Sequence, residues 1–148
     1  MPHLGPTIRH GGLRAFYQPA SDYVQLPPVE YFDTASGYVS TALHELVHFT
    51  GHKSRLDRNL AGRFGDDAYA MEELIAEMGS AFLCAHTRVD GMLQHASYLE
   101  TWLKVLRADK RAIFAASARA QQAADYLLDR LPERNSTNVE SILEAEAA

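Results

Sequence analysis

His44-Glu45-Leu46-Val47-His48 is the stretch of sequence that decides the fold. Apolar residues recur through it and around it at the spacing of an α-helix, at Leu43, Leu46, Val47 and Phe49. The predicted helix begins near Ser40 or Thr41 and ends at Gly51. Residues four apart on a helix share a face, with Cβ atoms about 5–6 Å apart, so the two imidazoles can hold one cation.

Two histidines with a glutamate between them are the residue types that a catalytic zinc site needs. Zinc takes imidazole nitrogens in tetrahedral geometry, and a catalytic site keeps one position for water. Glu45 would face that water and take its proton. The pattern is the known metalloprotease signature. We therefore predict one Zn²⁺ with His44 and His48 as ligands and Glu45 as the catalytic residue.

The alternative interpretation is that both are ordinary helix histidines. The residues flanking the motif argue against it, because they are all uncharged, as in a helix buried beneath a cleft: Ala42, Leu43, Leu46, Val47, Phe49 and Thr50.

The third ligand distinguishes the subclasses of zincins. Metzincins extend the motif to HExxHxxGxxH, and Gly51 does occupy the glycine position. The final histidine position is Ser54, however, and His52 comes two residues too early. Metzincin ligation is therefore excluded, and we expect His52 to be a helix cap or a residue at the rim of the cleft.

A glutamate from a later helix is the other source of a third ligand. The segment Tyr69–Gly79 contains Glu72, Glu73 and Glu77. Glu73 and Glu77 are four apart and share a face, so one can bind the metal while the other orients a histidine N–H. We predict Glu73 as the ligand and Glu77 as its support, with the reverse assignment left open. A solvated helix face is the alternative for these acids, but the apolar residues after Glu77 disfavour it.

An oxyanion-stabilising donor, commonly a Tyr or a His, usually completes such a site. Tyr69, His95 and Tyr98 are the candidates, although plain packing or surface exposure is the better explanation for each of them. We expect Trp102 and Phe114 to lie in the core.

The rest of the chain divides into a short β part and a longer helical part. Residues 1–35 carry five of the six prolines, and the runs 13–17 and 23–26 predict brief strands. Residues 52–68 predict a surface connection, and helices follow over 70–86, 96–108 and 110–131, with a break at Asp109 and a stop at Pro132. The predicted class is α+β, with a small N-terminal sheet packed on a mainly helical domain at 1–132 and a flexible tail at 133–148.

Composition excludes several classes of function. With 148 residues and 47% hydrophobic content, one globular domain is expected, and a formal net charge of −5 disfavours binding to nucleic acid. Cys84 is the only cysteine, so it is expected to be a small core residue of a cytoplasmic protein. No run of 18 uncharged apolar residues occurs, so no membrane association is expected, and the oligomeric state stays open.

Taken together, these residues resemble the zincin-like metallopeptidase domain at the C-terminal end of ArdC-type antirestriction proteins and TraC-type primases of plasmids and phages. A weaker likeness is to ImmA/IrrE-type peptidases, in which a ligand glutamate stands six residues before a glycine, as Glu73 stands before Gly79. The resemblance covers roughly residues 8–130. The matching stretches are Gly12–Pro19, Asp22–Pro27, Thr41–His52, Tyr69–Gly79, Tyr98–Leu103 and Ala120–Tyr126.

The resemblance implies a gluzincin-like peptidase from a mobile element, acting on a protein or peptide substrate. ArdC-type proteins also carry an N-terminal domain implicated in binding single-stranded DNA, and we expect no counterpart to it in residues 1–148. We therefore expect a standalone variant or a fragment of a longer gene product, to which antirestriction activity is not carried over. The alternatives are an accessory domain that binds a host protein and uses zinc structurally, and a module associated with single-stranded DNA.

Overall fold

The computed structural model describes residues 5–61, 67–90 and 99–130. Over these residues the fold is α+β, as predicted. A single 3₁₀ turn, Val29–Tyr31, separates the strands from the helices. The elements in chain order are β1 (Thr7–His10), β2 (Phe16–Gln18), β3 (Tyr23–Leu26), α1 (Ala35–Thr50), α2 (Asp67–Thr87), α3 (Leu99–Ala108) and α4 (Ala112–Leu128).

The three strands form one small sheet with β3 in the middle. β1 pairs with β3 in parallel, and β2 pairs with it antiparallel. Val24 and Leu26 of β3 are fully buried and pack with Phe49 of α1. The prediction for β3 is therefore confirmed, whereas the run 13–17 overlaps β2 only at its last two residues. β1 was not predicted because all four of its side chains are exposed, so its sequence shows no alternation.

Helix α1 begins earlier than its apolar pattern predicts. Its first residue is Ala35, and the Thr34 side chain caps it by accepting a hydrogen bond from the Gly37 amide at 2.9 Å. The first turn contains Ser36 and Gly37, which are not apolar, so the apolar pattern becomes visible only about one turn after the helix begins. Gly51 ends the helix, as predicted.

Two apolar clusters lie against α1. One joins it to the sheet, and the other joins Val47 to α2 and α4. At Gly79 of α2, an added Cβ would lie 2.8 Å from a methyl of Val47, which is closer than two carbons can approach. Gly79 therefore lets α1 and α2 pack tightly, six residues after Glu73, and this close packing sets the distance between the histidines and the glutamates.

Helix α4 packs on α2 through small residues: Ala116, Ala120, Ala123 and Ala124, all of which are buried. Trp102 and Cys84 are buried as predicted. The core prediction for Phe114 is wrong, because its side chain is 75% exposed. It lies two residues from both Ala112 and Ala116, so the buried alanine face of α4 turns Phe114 away.

The helix limits differ from prediction by a few residues. α2 extends three residues earlier and one residue later, and Asp109 separates α3 from α4 as predicted. The predicted stop at Pro132 and the tail 133–148 lie outside the described residues. None of the described helices has the length and apolar character needed to cross a bilayer.

Candidate metal centre

Helix α1 presents the two histidines one turn apart on a buried face. His44 is 1% exposed, and its ring centroid lies 4.9 Å from that of His48. The two Nε2 atoms lie 3.2 Å apart, so both imidazoles point toward the same place. Their other nitrogens point toward α2, where each meets a different glutamate.

Glu73 of α2 closes the arrangement. One carboxylate oxygen accepts a hydrogen bond from His44 Nε2 at 3.2 Å, and the other lies 3.2 Å from His48 Nε2. One donor atom from each of the three residues lies within 4.8 Å of those from the other two. Two imidazole nitrogens and one carboxylate oxygen are a donor set used by catalytic zinc sites. The residues present therefore fit a divalent metal ion, and His44, His48 and Glu73 form a candidate site for it.

Glu77 stands behind His44. Its Oε1 lies 3.3 Å from His44 Nδ1, on the far side of the ring from the Nε2 atom that faces Glu73. A carboxylate in this place can orient a ligand imidazole, which is the role predicted for Glu77, and the division of roles between Glu73 and Glu77 stays a prediction. The reverse assignment would need Glu77 to reach the Nε2 side of the ring.

Glu72 occupies the matching position behind His48, a role that was not predicted from the sequence. His48 Nδ1 donates a hydrogen bond to Glu72 Oε1 at 3.1 Å. Glu72 in turn accepts two hydrogen bonds from Arg58, which was not predicted to belong to the site either. Glu72 could have been predicted, because it lies beside Glu73 in the same helix. Arg58 could not, because it lies in a polar connection without a repeating pattern.

The hydrogen bonds of the site favour positively charged histidines and a negatively charged Glu73. Burial lowers the pKa of both histidines, but hydrogen bonds to the glutamates outweigh it. The pKa of His44 is raised by Glu73 and Glu77, and the pKa of His48 is raised to about 10 by Glu72 and Glu73. Burial likewise opposes ionisation of Glu73, yet the two imidazoles hold the pKa of its carboxyl well below the ordinary value. A metal ion entering here therefore displaces protons from the histidines.

The same histidines line a cleft of about 270 Å³ that also contains Glu45. Glu45 is 5% exposed and sits beside the candidate ligands on α1. The edge strand β2 supplies another part of the wall, and Tyr69 lies in the cleft as well. The remaining lining residues are Arg14, Ala15, Pro19, Asn59, Leu60, Glu72 and Glu73.

His52 does not join the centre. His52 lies just beyond α1, where its ring pairs with the Ser54 hydroxyl at 2.8 Å. The cap of α1 is Gly51, and His52 lies outside the residues that line the cleft. His95 and Tyr98, the other two candidate oxyanion donors, lie outside the described residues. Of the three candidates, the structure thus places only Tyr69, in the cleft.

Comparison with protein families gives a match over most of the chain. The model of a family described as zincin-like metallopeptidase matches residues 1–119. An uncharacterized protein, y4eC, of Sinorhizobium fredii (strain NBRC 101917 / NGR234) is 49% identical over 126 residues, which are 84% of this chain and 41% of that protein. A DNA primase TraC of Escherichia coli is 48% identical over 126 residues, which are 12% of the primase.

Comparison with solved structures gives the same fold. The Mn(II)-bound structure of the antirestriction protein ArdC from plasmid R388 aligns with a TM-score of 0.77 and 47% identity, covering 84% of this chain and 48% of ArdC. The metal-free structure of ArdC aligns with a TM-score of 0.75. The chain therefore spans less than half the length of each of these relatives.

Proposed function

Because the chain belongs to the zincin-like metallopeptidase family, we propose that it is a zinc-dependent peptidase domain that hydrolyses peptide bonds. The observation that carries the proposal is the meeting of His44, His48 and Glu73 donor atoms within 4.8 Å, in a cleft that also holds Glu45. We assign the three residues as metal ligands and Glu45 as the general base.

The donor set favours zinc as the ion. Imidazole nitrogens suit zinc, and a site of this kind binds zinc more tightly than manganese. A structure of ArdC, which is 47% identical to this chain over the aligned part, is Mn(II)-bound, and this supports the binding of a divalent ion by this chain. When bound, zinc would lower the pKa of a bound water molecule and polarise the carbonyl group of the substrate.

The residues of the chain would perform the remaining steps. The Glu45 carboxylate takes a proton from the attacking water and later delivers it to the leaving amine, so that water adds across the peptide bond. Glu77 and Glu72 hold the two imidazoles in orientation through their Nδ1 atoms. Tyr69, which lines the cleft, is the candidate donor to the developing oxyanion.

Replacing Glu45 by glutamine tests this function. The zinc-loaded wild-type protein should cleave members of a fluorescence-quenched peptide library, and cleavage should stop when a chelator removes the zinc. Glu45→Gln should bind one zinc and keep its fold while losing about 10²- to 10⁴-fold in rate, the usual contribution of a general base. Glu30→Gln, a change at an exposed glutamate in the turn before α1, is the matched control and should be fully active.

A second function is favoured by the names of the relatives, which are an antirestriction protein and a primase. In this alternative, the domain binds a host protein and the metal stabilises the binding surface without turnover. Glu45→Gln separates the two, because it would leave that biological effect intact. An association with single-stranded DNA is a weaker alternative, since the net charge is −5, and it would require a salt-dependent shift of such DNA by the protein.

A further inference from the structure

We propose that Arg58 is a positioning residue of the metal centre, which fixes His48 by holding Glu72. The inference rests on the proposed metal site but concerns a residue outside its donor set. Arg58 follows α1 in the connection to α2, and its side chain is only 6% exposed. A buried guanidinium needs a full set of acceptors, so its partners show what it holds in place.

Arg58 grips Glu72 with two parallel hydrogen bonds. Its Nε donates to one carboxylate oxygen at 3.0 Å, and its Nη2 donates to the other at 2.8 Å. This bidentate geometry fixes the plane of the carboxylate as well as its position. The oxygen held by Nη2 is the one that accepts from His48 Nδ1 at 3.1 Å. Arg58 therefore fixes the Glu72 oxygen to which the His48 imidazole is hydrogen-bonded.

The other end of the guanidinium is anchored to α1 itself. Nη2 donates to the Val47 carbonyl at 2.7 Å, and Nη1 donates to the Thr50 hydroxyl at 2.8 Å. Gly51 leaves room for this, because a Cβ there would lie 2.9 Å from Nη2. Arg58 thus ties the last turn of the histidine helix to the glutamate of α2, and the two helices cannot shift there without breaking its hydrogen bonds.

The consequence concerns which nitrogen of His48 faces the metal. A fixed carboxylate at Nδ1 accepts a hydrogen bond from the Nδ1–H. It keeps the hydrogen on that nitrogen when a metal displaces the proton from Nε2, so the lone pair freed on Nε2 points toward His44 and Glu73. Without Arg58, the Glu72 carboxylate would be free to turn away from the ring. His48 would then sample orientations that do not aim Nε2 at the site, and the affinity for the metal would fall.

Arg55 provides a control within the same connection. It also donates to a carbonyl of α1, that of Phe49, at 2.6 Å. Its other hydrogen bonds lead to the sheet, where it pairs with Asp22 and donates to the Tyr17 hydroxyl at 3.0 Å. Arg55 is therefore a comparable structural tie, but one whose partners lie in β2, in the turn before β3 and at the end of α1. A change at Arg55 should disturb packing without disturbing the metal centre.

The test measures zinc affinity by competition with a chromophoric chelator, and the visible spectrum of the Co²⁺-loaded protein. Arg58→Met should weaken zinc binding by about 10- to 100-fold, the usual cost of losing a partner of a ligand, and should change the Co²⁺ absorption bands. Arg55→Met should leave both unchanged. Arg58→Lys keeps the charge without the planar fork, so its affinity should fall between those of the wild type and Arg58→Met, and it serves as the informative variant if Arg58→Met does not fold.

A double variant separates positioning from general stabilisation. If Arg58 acts through Glu72, then Arg58→Met combined with Glu72→Gln should bind zinc no more weakly than Glu72→Gln alone. Independent losses that multiply in the double variant would overturn the inference, as would equal zinc affinities of Arg58→Met and Arg55→Met. A wild-type protein that binds no zinc would instead refute the proposed metal site, and this inference with it.

Discussion

Helix α2 makes two contacts of opposite character. Toward α1 it presents three buried glutamates, Glu72, Glu73 and Glu77, each facing a histidine nitrogen. Toward α4 it packs through apolar and small side chains, which also reach Val47 of α1, and Gly79 lies between Val47 and the backbone of Ala120. One helix therefore carries the candidate chemistry on one side and much of the core on the other.

The difference shows how the fold supports a costly site. Buried carboxylates and imidazoles are stable only when each is paired, so the charged face adds little net stability of its own. The close packing of the small-residue face compensates by burying apolar area and holding the helices at a fixed separation. We expect changes on the first face to alter metal binding and changes on the second to alter stability.

The largest effect is expected from removing a candidate ligand. His48→Ala deletes one of two imidazole donors, so the zinc affinity should fall by more than about 100-fold, beyond the loss caused by an outer partner. The small-residue face is untouched, so the helical content should persist. Chelator competition and circular dichroism measure the two quantities. His86→Ala, at an exposed histidine of α2, is the control, and equal affinities of the two variants would contradict the assignment.

Acidification should weaken zinc binding by about tenfold per pH unit for each proton that the metal displaces. In the metal-free protein, Glu72 and Glu73 raise the pKa of His48 to about 10, so this ring is protonated below that pH. Zinc must therefore displace a proton from His48 at both pH 6 and pH 8, and its apparent affinity should be higher at pH 8 because protons are scarcer. Titration calorimetry in buffers of different ionisation enthalpy counts the protons released. An affinity that is flat between pH 6 and pH 8 would show that His48 is not protonated in the metal-free protein.

At the apolar contact of α2, where Gly79 lies against Val47 of α1, Gly79→Ala should destabilise the metal-free protein. The added methyl would clash with Val47, and overpacking costs about 1–3 kcal/mol. Alanine favours the helix over glycine by up to about 1 kcal/mol, so the net loss in the free energy of unfolding should be about 1 kcal/mol. Urea denaturation measures it. In a Val47→Ala background the same change should cost less, and a Gly79→Ala protein more stable than the wild type would show that the helices are not in close contact.

The sequence predicted the parts of the site that depend on helical period alone. His44, Glu45 and His48 lie within two turns of one helix, and the four-residue spacing of Glu73 and Glu77 follows the same rule. Glu72 was a candidate without an assigned role, and the four-residue rule does not relate it to Glu73, because adjacent residues on a helix point about 100° apart. In the structure Glu72 contacts Nδ1 of His48 and Glu73 contacts Nε2, so two adjacent glutamates reach the same ring from different sides.

The features that were missed depend on contacts between distant segments. The parallel pairing of β1 with β3 and the contact of Arg58 with α2 join parts of the chain that no local pattern relates. Phe114 was misplaced for a related reason. A large aromatic residue in an amphipathic helix usually lies in the core, but the buried face of α4 consists of alanines and Phe114 lies on another face of the helix.

The smallest effect is expected at Phe114. Because its side chain is 75% exposed, Phe114→Ser should change the free energy of unfolding by less than about 0.5 kcal/mol, as for most surface substitutions. Trp102→Ala, at a buried aromatic residue of α3, should cost about 3 kcal/mol or more and serves as the contrast in the same urea titration. A large loss for Phe114→Ser would show that α4 buries this residue as well as its alanines.

The central claim is that His44, His48 and Glu73 share one ion. A crystal structure of the zinc-loaded protein, with an anomalous difference map recorded at the zinc edge, tests it most directly. We predict one peak about 2.0–2.2 Å from the two Nε2 atoms and a Glu73 oxygen, with Glu77 and Glu72 on the Nδ1 atoms. A peak coordinated by Glu77 instead of Glu73, or no peak between the two imidazoles, would contradict it.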